Sequence, residues 1–327
     1  MGGNALAPYG ARRFDRAEYL VLAKEVKELL KPIVIDRYVI EILSYNSKES
    51  FGDLDLVIPK LNPEQKRKVL GLFPDGHVDN MPKDKTAPIT WVLSVLYKGL
   101  QVDLIQPEIE DIHTSLTYYA FNDLGNLMGV IYKQFGLRYG HRGLRLNLTE
   151  GTNKYAEILI SKDSQKIFDF VGLSYTRFKL GFNTLEEVFD FVVNSPYFSP
   201  DLYQFENVNA TSRIRDKKRS SYNAFLKYIA NRKDTDKFLK NKAWYNERIL
   251  SFFPEARPRF EAAVRKYDLE KQAKDRFNGT LVSEWTGLKE KELGLLMAKL
   301  RNERGPFVEW VLGKTEAELK EIVNDAT

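Results

Sequence analysis

A chain of 327 residues with 43% hydrophobic, 13% aromatic and 29% charged side chains has material for two or three domains and is too apolar to be disordered. The absence of cysteine rules out disulfides, thiolate metal sites, iron–sulfur clusters and a cysteine nucleophile, and His77, His113 and His141 are too widely spaced for a histidine-rich metal site. The formal net charge of +5 is mild, and no apolar run nears the roughly 20 residues of a membrane helix, so a soluble, cytoplasmic chain without a membrane partner is expected.

Met1–Leu6 lacks the basic-then-apolar pattern of a secretory leader, and Leu6 stands where a myristoylation motif has Ser or Thr. Residues 15–31 carry helical spacing, with Tyr19, Leu20, Leu22, Ala23, Val26, Leu29 and Leu30 as the apolar face and Pro32 as the stop. Short β-rich runs follow at Tyr38–Ser44, Leu54–Ile58, Trp91–Tyr97, Leu100–Gln106, Leu144–Leu148 and Tyr155–Ile160, with Lys98-Gly99 as a hairpin turn. A helix is expected to begin near Pro63, and Pro74–Pro88 reads as a surface loop. Phe121–Phe135 is expected to be helical, with Gly125 and Gly129 marking close packing or close approach to a ligand. Arg138–Arg145 forms a compact basic loop that can hold a phosphate or simply turn at the surface.

From Thr184 onward the pattern is helical, beginning with Thr184-Leu-Glu-Glu187 as a capping box. Between Thr211 and Arg276 there are 19 Lys+Arg against 9 Asp+Glu, interleaved with aromatics including Tyr222, Phe225, Tyr228, Phe238, Trp244 and Tyr245. Cations among aromatics suit a phosphate-tracking surface; the bland alternative is a helical domain with a solvated face. The tight run Arg213, Arg215, Lys217, Lys218 and Arg219 favours a polyanion and marks the candidate nucleic-acid-binding residues. The expected organisation is α+β: a mixed β-sheet with flanking helices over residues 1–183, then a basic all-helical domain over 184–327.

The chemistry concentrates in Ser44–Ile58. Asp53 and Asp55 alternate with Leu54 and Leu56 on one strand, so period two puts both carboxylates on one face. Like charges so placed repel unless a cation offsets them, and oxygen ligands suit Mg²⁺ or Mn²⁺. Asp103, between Val102 and Leu104 on another strand, supplies a third acid. Three acids on neighbouring strands can hold two metal ions and support in-line displacement at phosphorus.

This pattern resembles the DNA polymerase β-like nucleotidyltransferase superfamily, whose signature is a strand ending in Gly-Ser, a loop, acid-x-acid on the next strand and a third acid on a later one. The family X polymerases match best: Ser44-Tyr45, Lys48-Glu49-Ser50 and Gly52-Asp53-Leu54-Asp55 follow their loop, one residue shorter. The resemblance implies a nucleotidyltransferase palm, two Mg²⁺ or Mn²⁺ ions on Asp53, Asp55 and Asp103, and an NTP or dNTP substrate. Asp103 would draw the proton from an attacking 3′-hydroxyl, and Ser44, Lys48 and Gly52 would contact the nucleotide. Leu43 replaces the family's glycine, and Asn46-Ser47 stands where two arginines are usual, so Lys48 or a basic residue from elsewhere must compensate. Tyr118-Tyr119, fifteen residues after Asp103, and Asn122 fall where the family places residues against the sugar and base. Phe277–Arg301, a short helix, a glycine turn and a longer helix, is similar to the tail of CCA-adding enzymes and poly(A) polymerases.

The expected activity is transfer of a nucleoside monophosphate from a triphosphate to a DNA or RNA 3′ end. Transfer to a protein or small molecule is one alternative. A non-catalytic nucleic-acid-binding protein is the other.

Overall fold

The computed structural model describes residues 5–34, 38–80, 91–232 and 242–327. Expectations falling on Met1–Asn4, on residues 81–90 and on Phe238 lie outside the described residues. Among the described residues no helix is long and apolar enough to cross a membrane.

The chain opens with β1 (Phe14–Asp15) and α1 (Arg16–Leu30), whose first turn is capped by Asp15 accepting from the Glu18 N–H at 2.9 Å. Tyr19, Leu22, Ala23, Val26 and Leu30 are buried. Leu20, expected on the same face, is exposed, because one residue on from Tyr19 it has rotated about 100° off the stripe. Next come β2 (Ile40–Glu41), β3 (Ser50–Phe51), β4 (Asp53–Val57), α2 (Pro63–Leu72), β5 (His77–Asn80), β6 (Trp91–Tyr97) and β7 (Leu100–Gln106). β1 and β3 form an antiparallel ribbon in which Phe14 faces Phe51 and Asp15 faces Ser50.

A five-stranded mixed sheet runs β2-β4-β7-β6-β5, with β4 and β7 parallel and the other neighbours antiparallel. Lys98 and Gly99 both take positive φ in the β6–β7 turn, as a two-residue hairpin requires. The strand expected over Tyr38–Ser44 shrinks to β2. After the Ile42 N–H pairs with Asp55 O, the chain leaves the sheet, and Leu43 O accepts from the Phe121 N–H at 2.7 Å. Part of the expected loop is instead β5, which covers the edge of β6. On one side of the sheet Leu54, Leu56, Val102 and Leu104 share a core with α1 and with Val69 of α2. Each such fully buried side chain contributes about 2 kcal/mol.

Beyond the sheet lie α3 (Ile112–Tyr119), α4 (Leu124–Gln134), β8 (Leu137–Gly140), β9 (Gly143–Glu150) and β10 (Asn153–Ser161), the three strands ordered β10-β9-β8. The rest of the described chain is helical: α5 (Ser164–Phe170), α6 (Tyr175–Lys179), α7 (Leu185–Val193), α8 (Ala210–Asp216), α9 (Ser220–Ile229), α10 (Lys242–Phe252), α11 (Arg257–Arg276), α12 (Gly279–Thr286), α13 (Glu290–Glu303), α14 (Phe307–Leu312) and α15 (Glu316–Ala326). Thr184 caps α7 by accepting from the Glu187 N–H. The reciprocal half of the expected box is absent, since the Glu187 carboxylate accepts from the Asn183 N–H and from Arg177.

The architecture is α+β. The chain separates into two compact units: residues 1–147 with 159–254, and residues 148–158 with 255–327. The division expected at 183/184 therefore falls inside the first unit. The reason is aromatic: Phe135, following α4, meets Phe170, Tyr197 and Tyr245, while Tyr203 donates to Leu127 O at 3.0 Å. α7 to α10 thus share a core with α4. The second unit has its own core of Ala273, Phe277, Val282, Leu296, Leu300, Val311, Leu319 and Val323. Within it, Gly287 at φ +73° ends α12 before α13, giving the expected helix–glycine–helix.

Candidate active site

The parallel register of β4 and β7 sets Asp55 beside Asp103 and Asp53 beside Gln101. In-register residues share a face, so the three acids converge, each presenting a carboxylate oxygen within 4.8 Å of the others. Asp53 and Asp55 are half-buried and Asp103 is buried. Asp103 is tightly oriented: Ser94 Oγ on β6 donates to Oδ1 at 2.6 Å, and Gln101 Nε2 donates to Oδ1 and Oδ2 at 3.0 and 3.1 Å. Gln101 is itself fixed, its Oε1 accepting from the Leu6 N–H at 3.1 Å.

Burial, and then the neighbouring Asp53 and Asp103, push the Asp55 carboxyl up to about 7. Burial also raises Asp103, against the hydrogen bond from Ser94. Asp53 Oδ2 and Asp55 Oδ1 are buried without a hydrogen-bond partner. Orphaned, mutually repelling oxygens with no nitrogen or sulfur donor among them fit a hard divalent cation.

The acids Asp53 and Asp55 lie in the wall of a cavity of about 780 Å³. Ser44, Lys48, Gly52, Tyr118, Tyr119 and Asn122, all expected at the site, line the same cavity. Lys48 is half-buried with Nζ 4.6 Å from the centre of the Phe51 ring; burial lowers its pKa, and Asp53 and Asp55 oppose that. Tyr118 and Tyr119 meet edge to face at 5.2 Å. Phe121 and Asn122 adopt left-handed φ of +55° and +63°, so α4 starts later than expected. Non-glycine residues held there carry backbone strain, a recurrent feature of functional sites.

The basic run divides. Lys218 and Arg219 line the cavity. The others are occupied elsewhere in the first unit: Arg213 Nη2 donates to Val208 O at 3.1 Å, Arg215 pairs with Asp216 at 2.7 Å, and Lys217 Nζ sits 5.6 Å from the Phe205 ring centre. Arg219 also pairs with Asp123, which accepts from Ser221 Oγ as well. Part of the run is therefore engaged within the fold, while Arg215, Lys217 and Lys218 stay exposed.

Arg13, Tyr19, Asp123, Asn126 and His141 also line the cavity, and of these sequence reasoning touched only His141 as a ligand contact, within the basic loop Arg138–Arg145. Arg13 carried a signal only as half of the pair Arg12-Arg13; its approach depends on the β1–β3 ribbon. His141 packs parallel to Tyr119 at 5.9 Å, and burial lowers its pKa to about 4.

Fold and site together define an α+β protein whose mixed sheet brings three carboxylates together, two of them in the wall of a cavity also lined by Arg13, Lys48, Lys218 and Arg219. No protein-family model matches the chain, and no curated protein matches it.

Proposed function

We propose that the chain is a metal-dependent nucleotidyltransferase of the polymerase β-like kind, moving a nucleoside monophosphate from an NTP or dNTP to a nucleic-acid 3′-hydroxyl. The observation that carries this reading is the convergence of Asp53, Asp55 and Asp103 within 4.8 Å, with buried unsatisfied oxygens on the first two. The cavity that Asp53 and Asp55 border carries Lys48 and Lys218 for an anionic substrate, with Arg219 already paired to Asp123, and Tyr118, Tyr119 and Asn122 for sugar and base.

Asp53, Asp55 and Asp103 would hold two Mg²⁺ or Mn²⁺ ions, which supply charge neutralisation at the phosphates and a lowered pKa for the attacking hydroxyl. Asp103 suits proton acceptance: burial raises its basicity, while Ser94 and Gln101 hold its two oxygens in place. In the reaction the acceptor oxygen bonds to the α-phosphorus, the bond to the bridging oxygen breaks, pyrophosphate leaves and the hydroxyl proton passes to Asp103.

A second reading, transfer to a hydroxyl of a protein or small molecule, gains from the internal engagement of Arg213, Arg215 and Lys217, which leaves fewer cations for a long polyanion. The test is incorporation of each NTP and dNTP, with Mg²⁺, into end-labelled single-stranded, nicked, gapped and hairpin DNA and RNA. An Asp53→Asn/Asp55→Asn variant runs beside it. Extension that needs metal and vanishes in the variant is expected. Folded wild-type protein that extends no acceptor would remove the nucleic-acid reading.

A further inference from the structure

The loop joining Ser44 to β3 spends three of its backbone donors on its own docking. The Asn46 N–H donates to Phe182 O at 2.8 Å, the Ser47 N–H to Asn183 O at 2.7 Å, and the Lys48 N–H to Tyr45 O at 3.2 Å. The Asn46 side chain donates to Asn183 Oδ1 at 2.8 Å, and Arg16 binds the carbonyls of Asn46 and Lys48 from below α1's first turn. Asn46 and Ser47 therefore dock the loop onto Phe182-Asn183. They contribute structure, and their side chains bring no charge. An anionic substrate at this cavity gains neither charge nor N–H donors from Asn46 and Ser47.

Arg13 stands where such donors are needed. It immediately precedes β1, and the pairing of Asp15 with Ser50 brings it beside β3. Its Nε donates to Ser50 Oγ at 2.9 Å and its Nη2 to Ser50 O at 2.8 Å. Those bonds fix the guanidinium plane and leave Nη1 with no hydrogen-bond partner among the described residues. Arg13 lines the main cavity and also a smaller adjoining one of about 470 Å³, which shares Lys48, Asn122, Ser220 and Ser221 with it. A tethered guanidinium loses little freedom on meeting phosphate, and its planar fork matches phosphate oxygens.

We propose that Arg13, held by Ser50 and acting with Lys48, binds the triphosphate tail of the nucleotide, replacing donors that the Ser44–Lys48 loop has spent on its own docking. The inference rests on the nucleotidyltransferase reading and extends it to a residue outside the acid motif. Arg13 is a binding residue for the unreacted part of the nucleotide, so its loss raises KM for the nucleotide more than it lowers kcat.

The experiment is calorimetric titration of the full chain with Mg²⁺ and inorganic tripolyphosphate, and separately with Mg²⁺ and ATP. Wild type, Arg13→Gln, Arg13→Lys and Ser50→Ala are compared. Wild type is expected to bind both probes, Arg13→Gln to bind both about tenfold to a hundredfold more weakly, and Arg13→Lys to recover part of the loss. Ser50→Ala, which removes the Nε tether and leaves the Nη2 bond to the residue-50 carbonyl, is expected to fall between and decides the matter if Arg13→Gln does not fold. Undiminished tripolyphosphate binding in folded Arg13→Gln, or in Ser50→Ala where only that variant folds, overturns the role of Arg13 and leaves the enzymatic reading standing. Wild-type protein that binds neither probe overturns both.

Discussion

Asp55 is a desolvated carboxylate beside two others, with one oxygen lacking any donor. Asp55→Asn removes a charge while keeping the shape. In metal-free protein it is expected to raise stability by on the order of 1–2 kcal/mol after solvent screening, and to abolish the stabilisation that Mg²⁺ or Mn²⁺ gives wild type. Thermal unfolding with chelator and with metal checks both halves; an unchanged metal response in the variant would remove Asp55 from the ligand set. His141 offers a pH test away from the acids. Its pKa is depressed in the fold, so between about 4 and the ordinary imidazole value the unfolded chain binds more protons than the folded one. This contribution is fully present above the unfolded value and is lost as pH falls toward 4. Its size is roughly 1–3 kcal/mol, and a His141→Gln variant should show a flatter stability profile across that window.

The turn between α3 and α4 shows how one segment reconciles packing with a site. Phe121 is buried, meeting Phe178 and Phe182 edge to face, while Asn122 faces the cavity; both hold left-handed φ. That turn brings the start of α4 so close to α3 that a Cβ on Gly125 would lie 2.1 Å from Tyr118 O, whereas a Cβ on Gly129 would meet nothing within 4 Å. Gly125→Ala is therefore expected to destabilise by about 1–3 kcal/mol and to disturb Tyr118. Gly129→Ala should be neutral or stabilising by up to about 1 kcal/mol. Chemical denaturation of the pair tests the contrast, and equal effects would contradict it. Four-residue glycine spacing could be read from the chain, but which glycine touches backbone depends on the route of α3, which periodicity does not encode.

The positive surplus follows the division into units. Residues 255–327 carry 14 Lys+Arg and 14 Asp+Glu, and the excess of the 211–276 segment lies mainly in residues 211–254, with 12 Lys+Arg against 4 Asp+Glu, within the first unit. The four tryptophans divide evenly, Trp91 and Trp244 in the first unit, Trp285 and Trp310 in the second. Separate cores predict separable unfolding. In a Trp91→Phe/Trp244→Phe chain, fluorescence reports the second unit alone, and its transition is expected to be unmoved by Mg²⁺ and tripolyphosphate. Calorimetry of the same chain should show the first unit's transition rising with both. A single coincident transition that shifts as one would show the units to be thermodynamically coupled.

The acid pattern was legible in the chain because strand alternation is local: Asp53 and Asp55 share a face whenever that segment is extended, and Val102-Asp103-Leu104 repeats the logic. Helix α1, the Lys98-Gly99 turn and the helix–glycine–helix near the end were legible for the same reason, since caps, turns and periodicities act within a few residues. The parallel pairing of β4 with β7, which sets Asp55 beside Asp103, joins segments nearly fifty residues apart through backbone hydrogen bonds common to every residue type. Arg13 reaches the cavity through a two-residue ribbon too short to leave a pattern, and Arg215, besides its adjacent partner Asp216, donates at 2.6 Å to Asn126 Oδ1, a partner brought near only by folding. Local sequence chose the acidic and basic groups, while long-range pairing decided which of them meet, because strand alternation acts within a few residues and sheet register across the chain.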